Sequence, residues 1–211
     1  MNAPVQELEA ARSIGETQHA ARDERTLLEA ARRVSVIAAK HADSVDREAR
    51  FPVEAVNAMR AERLFSAMIP REHGGDGLAL TGVARLCEVL AQGCASSAMI
   101  YAMHQSQVVC IVNHGANAWQ RAFLARMVNE QLLLASATSE ENIRGNMRTS
   151  ACVVDLVDGA FSIEKLAPTI SYGAHSDCVL VTARRHPDAP PSDQVLIVAP
   201  RDTLTLEQRG T

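Results

Sequence analysis

The hydrophobic pattern changes period near residue 130, and this limits the chain to folds in which helices come first and strands follow. Before that point apolar residues recur three and four apart, the spacing of one buried stripe per helix. Leu27, Ala31, Val34 and Ala38 give an amphipathic helix from Ala20 to about His41, with Arg22, Arg25, Arg32 and Arg33 on a charged, solvated face. Phe51-Pro52 opens a second helix, to about Glu62, because proline suits the first helical position. Thr81 reads as the N-cap of a third, carrying Val83, Leu86, Cys87 and Leu90 and ending near Gly93. Ser96 or Ser97 caps a fourth, apolar around nearly its whole circumference up to Gly115 and therefore expected to be central and covered on several sides. Asn117 begins a fifth, with Trp119, Phe123, Leu124 and Met127 as its buried side.

After Glu130 the apolar runs shorten. Leu132 to Leu134, Ala151 to Val154, Phe161 to Ile163, Cys178 to Val181 and Val195 to Val198 read as strands, punctuated by Asp158-Gly159, Tyr172-Gly173 and the Pro187 to Pro191 loop. Closely spaced strands without intervening helices predict a small barrel or sandwich, and no strand is followed by a glycine-rich phosphate fingerprint. The fold class is thus α+β. Its expected divisions are a flexible tail over 1–19, an all-α domain over 20–130 and a β-domain over 131–211.

Between the second and third helices lies Ile69-Pro70-Arg71-Glu72-His73-Gly74-Gly75-Asp76-Gly77-Leu78. Gly74 and Gly75 are expected to take positive φ and Gly77 to remove side-chain bulk, giving a tight connection.

Charge and cysteine usage remove several function classes. With a formal charge of -4 and only 3% aromatic residues, the chain lacks the basic surface and stacking platforms of a nucleic-acid binder. Five widely spaced cysteines without a C-x-x-C pair read as reduced thiols, and no metal site is expected. No apolar run reaches membrane-spanning length and no signal pattern opens the chain, so a cytoplasmic protein without membrane insertion is expected. His104 and His114 read as core or helix-end residues, and Met99 and Met103 as core filler. His175 and Asp177 read as a turn pair, with a proton relay as the other reading.

The order of these features resembles the acyl-CoA dehydrogenase family. The resemblance rests on Phe51-Pro52 to Met59, the glycine break, Ala95-Ser96-Ser97, Leu134-Ala135-Ser136-Ala137-Thr138-Ser139-Glu140, Glu164-Lys165, and Ile170-Ser171-Tyr172-Gly173 followed by Asp177 to Ala183. It implies a flavoprotein that uses FAD to remove hydrogen across the α,β bond of an acyl-CoA thioester. An electron-transfer partner or oxygen is the implied acceptor, and the full-length form is implied to be a tetramer. The family's glutamate base comes from a third, helical-bundle domain. The chain is accordingly expected to be a fragment ending inside the β-domain, with no catalytic residue assignable and doubtful activity alone.

By the same resemblance, Ser136, Thr138 and Ser139 line one side of the flavin ring, while Thr169, Ile170 and Ser171 approach from a neighbouring strand. A strand-end turn hydroxyl is the other reading of each. Arg144 and Gly145 fall in a loop that touches the substrate in the family. Thr169 stands where an aromatic residue often covers the flavin, and Arg144 where glycine is usual, which leaves the substrate class open. Two alternatives remain: a flavin-dependent monooxygenase of the same fold, and a non-catalytic helical interaction module.

Overall fold

The computed structural model describes residues 20–114, 117–141, 146–157 and 160–207. The expected tail, the stop at Gly115, the Asp158-Gly159 turn, and Arg144 and Gly145 lie outside these residues.

Helix α1 (Glu24–Arg47) starts at Asp23, whose side chain accepts the Thr26 N–H at 2.8 Å. Its stripe of Leu27, Ala30, Ala31, Val34 and Ala38 is buried and continues to Val45, which carries the helix past His41. One correction concerns Arg22, which is not on a solvated face. It spans three partners, Asp76, the Glu62 carbonyl and the Arg63 carbonyl, at 2.7–3.1 Å.

Helix α2 (Val53–Ala61) has Pro52 at its N-cap instead of at the expected first helical position, and buries Ala55, Val56 and Met59. Arg63, at φ 54°, reverses the chain into two single 3-10 turns, Leu64–Ser66 and Arg71–His73. The glycine break folds back on these turns through Gly77 N–H to Ile69 O at 2.9 Å and Leu78 N–H to Ala67 O at 2.8 Å. The glycine roles are exchanged relative to expectation. Gly74 and Gly77 hold positive φ (85° and 65°), whereas at Gly75 a Cβ would overlap the Ile69 carbonyl, so only a residue without a side chain fits.

Helix α3 (Leu80–Ala91) has Ala79 at its N-cap with no capping side chain. Thr81 therefore lies inside the first turn, because the Val83 N–H already bonds to Ala79 O. Helix α4 (Ala95–His114) likewise starts one residue before the predicted serine caps, and Ser97 is fully buried in its first turn. In helix α5 (Ala118–Glu130) Asn117 is the cap, accepting the Gln120 N–H at 2.8 Å. Phe123, Leu124 and Met127 are buried as predicted, but Trp119 is half exposed and stacks flat on Phe123 at 5.2 Å.

Five strands follow: β1 (Leu134–Ala137), β2 (Asp155–Val157), β3 (Ala160–Ser162), β4 (Cys178–Arg184) and β5 (Gln194–Pro200). One sheet has the order β1-β4-β5, with β1 parallel to β4 and β5 antiparallel to it; β2 and β3 form a separate hairpin. The Ala151 to Val154 run is not a strand. The Ala151 and Cys152 N–H groups bond to the Glu140 carboxylate, leaving a single bridge between Val153 and Arg184. Leu132 and Leu133 are buried but precede β1.

Strand alternation gives the sheet two apolar faces. Leu134, Cys178 and Leu180 pack with Val108, Ile111, Phe123, Leu124 and Met127 of α4 and α5. Ala135, Ala137, Val179 and Val181 pack under Ile163, Ala167, Ile170 and Tyr172 of the segment that returns to β4. The sheet is thus a wall shared by the helices and that returning segment. Among the described residues, no helix is long and apolar enough to cross a membrane.

Candidate functional site

The helical part meets the sheet through side chains that bond to the entrance of β1. His104, fully buried on α4, accepts the Leu134 N–H on Nδ1 at 3.1 Å, so its proton sits on Nε2, which donates to Phe65 O at 2.8 Å. Burial lowers its pKa to about 4, against the opposing pull of the Phe65 carbonyl and with a small further push from Arg60. Asp177 Oδ2 accepts both the Leu133 N–H and Arg60 Nη2, each at 2.6 Å. Tyr172 Oη donates to Leu134 O at 3.0 Å, and burial raises its pKa.

Beside this junction lies an open cleft of about 620 Å³. The start of α2 supplies Arg50, Phe51 and Pro52, the first turns of α4 supply Ser96, Met99, Ile100 and Met103, and the returning segment supplies Ser171, Tyr172 and His175. Met99 is 61% exposed and faces the cleft instead of filling the core, so α4 is left uncovered on that side. His175 stacks on Phe51 with ring centroids 4.1 Å apart and planes 9° apart, while Asp177 turns away to Arg60, so the two do not form a pair. Arg50 is occupied by Glu54 and Ser44 at 2.6–3.1 Å. The described lining contains no carboxylate. It is an apolar trough with a few polar groups among its lining, the usual make-up of a small-molecule site, and its volume lies in the usual range of roughly 300–1,000 Å³.

The residues singled out from sequence divide into three groups. Ser171 lines the cleft. Ser139, just past the end of β1, donates its hydroxyl to Thr169 O at 3.3 Å, which joins the two predicted hydroxyl clusters. Thr169, Ile170 and Ser171 are in a loop, not on the expected neighbouring strand; Ile170 packs under the sheet, and the returning segment pairs with no strand there. Ser136 lies on β1 opposite Leu180, on the face away from Ala135 and Ala137, and Thr138 follows the strand, partly buried. Sequence reading missed Phe51, Met99 and His175 as lining. The available signal was Met99 and Met103 at i and i+4 on a helix with more apolar residues than one buried stripe requires.

Close to these loops is a buried ion pair. Lys165 Nζ lies 3.3 Å from Glu140 Oε1, with the two side chains 5% and 3% exposed. Burial raises the Glu140 pKa, but the Cys152 and Ala151 amides and Lys165 outweigh it and leave a net lowering.

The model of the acyl-CoA dehydrogenase N-terminal domain matches residues 21–131, just over half of the chain. A 3-sulfinopropanoyl-CoA desulfinase of Paraburkholderia xenovorans is 33% identical over 107 residues, 50% of this chain and 27% of the relative. A probable acyl-CoA dehydrogenase of Mycobacterium leprae is 29% identical over 116 residues, 54% and 30% of the two chains. Among solved structures, TdsC from Paenibacillus sp. A11-2 in complex with FMN and indole superposes with a TM-score of 0.72 at 26% identity, over 85% of this chain and 44% of that one. The match thus spans under a third of these two curated relatives and under half of that solved chain. The matched residues hold the five helices, and the chain belongs to the acyl-CoA dehydrogenase family.

Proposed function

We propose that the protein is a flavin-dependent oxidoreductase whose substrate is a CoA thioester, with FAD as cofactor and α,β-dehydrogenation as the reaction. The cleft between α2, α4 and the loop of Ser171 carries this reading, because it places an apolar trough directly beside the hydroxyl-bearing loops. Those loops fit a flavin ring edge: Ser139, Thr169 and Ser171 are small and neutral, Ser139 ties the two loops through Thr169 O, and Thr169 and Ser171 carry hydroxyls able to donate. When bound, the flavin supplies the hydride-accepting step. The chain's own residues do the rest of what can be assigned. Met99, Ile100, Met103 and Phe51 hold the acyl part and keep water from it, and Ser171 and Tyr172 set the polar side. The proton-abstracting carboxylate lies outside the described lining, and Arg144 and Gly145 are kept as substrate-side candidates. Within the whole protein, an electron-transfer partner takes the electrons.

A second reading, flavin-dependent oxygenation, is favoured by the likeness to TdsC, a dibenzothiophene monooxygenase, and needs no carboxylate in the cleft. Both readings are tested on the purified full-length protein. FAD and FMN are titrated while visible absorbance is followed, and the loaded protein is then mixed anaerobically with a panel of acyl-CoA thioesters. Bleaching by a thioester supports dehydrogenation. Oxygen consumption only after external reduction supports the second reading, and absence of binding by either flavin overturns both.

A further inference from the structure

The buried pair Glu140–Lys165 does more than tie two segments of the β-part together. We infer that it is the positioning device for the flavin-facing loops, an inference that rests on the function proposed above. The geometry is closed at every point. Glu140 immediately follows Ser139, and Oε1 and Oε2 accept the Cys152 and Ala151 N–H groups at 2.8 and 3.0 Å, with Ser150 Oγ at 3.2 Å. Lys165 lies four residues before Thr169, and its Nζ donates to Thr182 O at 2.6 Å and Oγ1 at 3.0 Å, which anchors it to β4. Two further bonds join the segments on either side of the pair: Glu141 N–H to Leu166 O at 3.0 Å and Ser139 Oγ to Thr169 O at 3.3 Å.

The two loops are thus fastened to each other and to the sheet around one desolvated ion pair. Neither loop has regular secondary structure at Thr138–Ser139 or Thr169–Ser171, so no strand ladder fixes their spacing. A buried pair costs desolvation that its attraction only partly returns, and hydrophobic replacement of both partners is often tolerated. What the pair supplies in return is orientation of the two loops. Removing one partner leaves the other charge buried and uncompensated, so the loops must open to hydrate it, whereas removing both leaves no buried charge to hydrate.

The test uses the full-length protein and three variants, Lys165→Met, Glu140→Gln and the double variant, all measured where far-ultraviolet circular dichroism shows the native signal. The readouts are the flavin dissociation constant, the visible spectrum of the bound flavin, and amide exchange at 138–141 and 166–171 compared with α1 to α5. Each single variant is expected to weaken flavin binding at least tenfold, alter the spectrum and speed exchange in the two loops alone. The double variant is expected to recover part of the affinity, and it serves if a single variant does not fold. Wild-type binding with all soluble variants within twofold of it and an unchanged spectrum overturns the inference while leaving the function standing. Failure of the wild type to bind either flavin overturns both.

Discussion

At the scale of single residues, the position of one proton decides how acid acts on this fold. His104 bridges Phe65 O and the Leu134 N–H with no solvent contact, an arrangement that only the neutral ring can make, since Nδ1 must accept. Its folded pKa is depressed to about 4 from the ordinary imidazole value of 6.5, so the unfolded chain binds this proton first as pH falls. The contribution is therefore complete above pH 6.5 and is lost progressively down to about pH 4, amounting to about 3 kcal/mol at about 1.4 kcal/mol per pKa unit. Urea unfolding at a series of pH values should show this fall, beginning above the range where carboxylates titrate. A His104→Leu variant should be less stable at pH 7 but nearly flat between pH 6.5 and 5. The sequence left this histidine as a core or helix-end residue, and nothing in the spacing of α4 indicates which carbonyl and which amide it would meet, because both come from distant segments.

At the scale of elements, helix positions were legible and helix ends only partly so. The stripe of α1 and the Asn117 cap follow from local chemistry, since a 3.6-residue period and an Asx side chain bonding three residues on involve near neighbours only. Thr81 and Trp119 misled because the same local signals were overruled by how α3 and α5 pack. Arg22 is the sharpest case. In sequence it belongs to a run of helix charges, but it sits just before α1 and clamps that helix to the end of α2 and to the glycine break through Asp76, which is 6% exposed at its side chain. Arg22→Met should cost about 3 kcal/mol, because it removes the guanidinium from a buried carboxylate and from the Glu62 and Arg63 carbonyls, whereas Arg25→Met, at an exposed 3.8 Å pair, should change stability by less than about 0.5 kcal/mol. Thermal unfolding of the two variants side by side checks the contrast.

For the whole molecule, the decisive feature is that the helices and the sheet share one apolar wall and are pinned along it by polar side chains. Asp177 is such a pin, holding the Leu133 N–H and Arg60 together, 117 positions away from Arg60 along the chain. The pair is about one-third exposed, so screening reduces its ionic part. Asp177→Ala should therefore lower stability by about 2 kcal/mol, most of it from the freed amide and lost packing. The same variant should weaken cleft ligands, since Asp177 closes the short segment that carries Tyr172 and His175. Comparing denaturant midpoints with flavin affinity for Asp177→Ala and Asp177→Asn separates the two effects.

Taken alone, the sequence determined the order of helices before strands, the buried stripes, the tightness of the glycine break and the family resemblance, because these depend on periodicity and on residues close in the chain. It also supplied Ser139, Thr169 and Ser171 as candidates. Only the tertiary structure decided that Met99 faces an open cleft, that Phe51 and His175 stack across it, that Arg22 and Asp76 close a clamp, and that Glu140 and Lys165 lie side by side. The reason is physical: the last three facts each pair groups at least 25 positions apart, and only the packing of the chain brings them within a few ångströms.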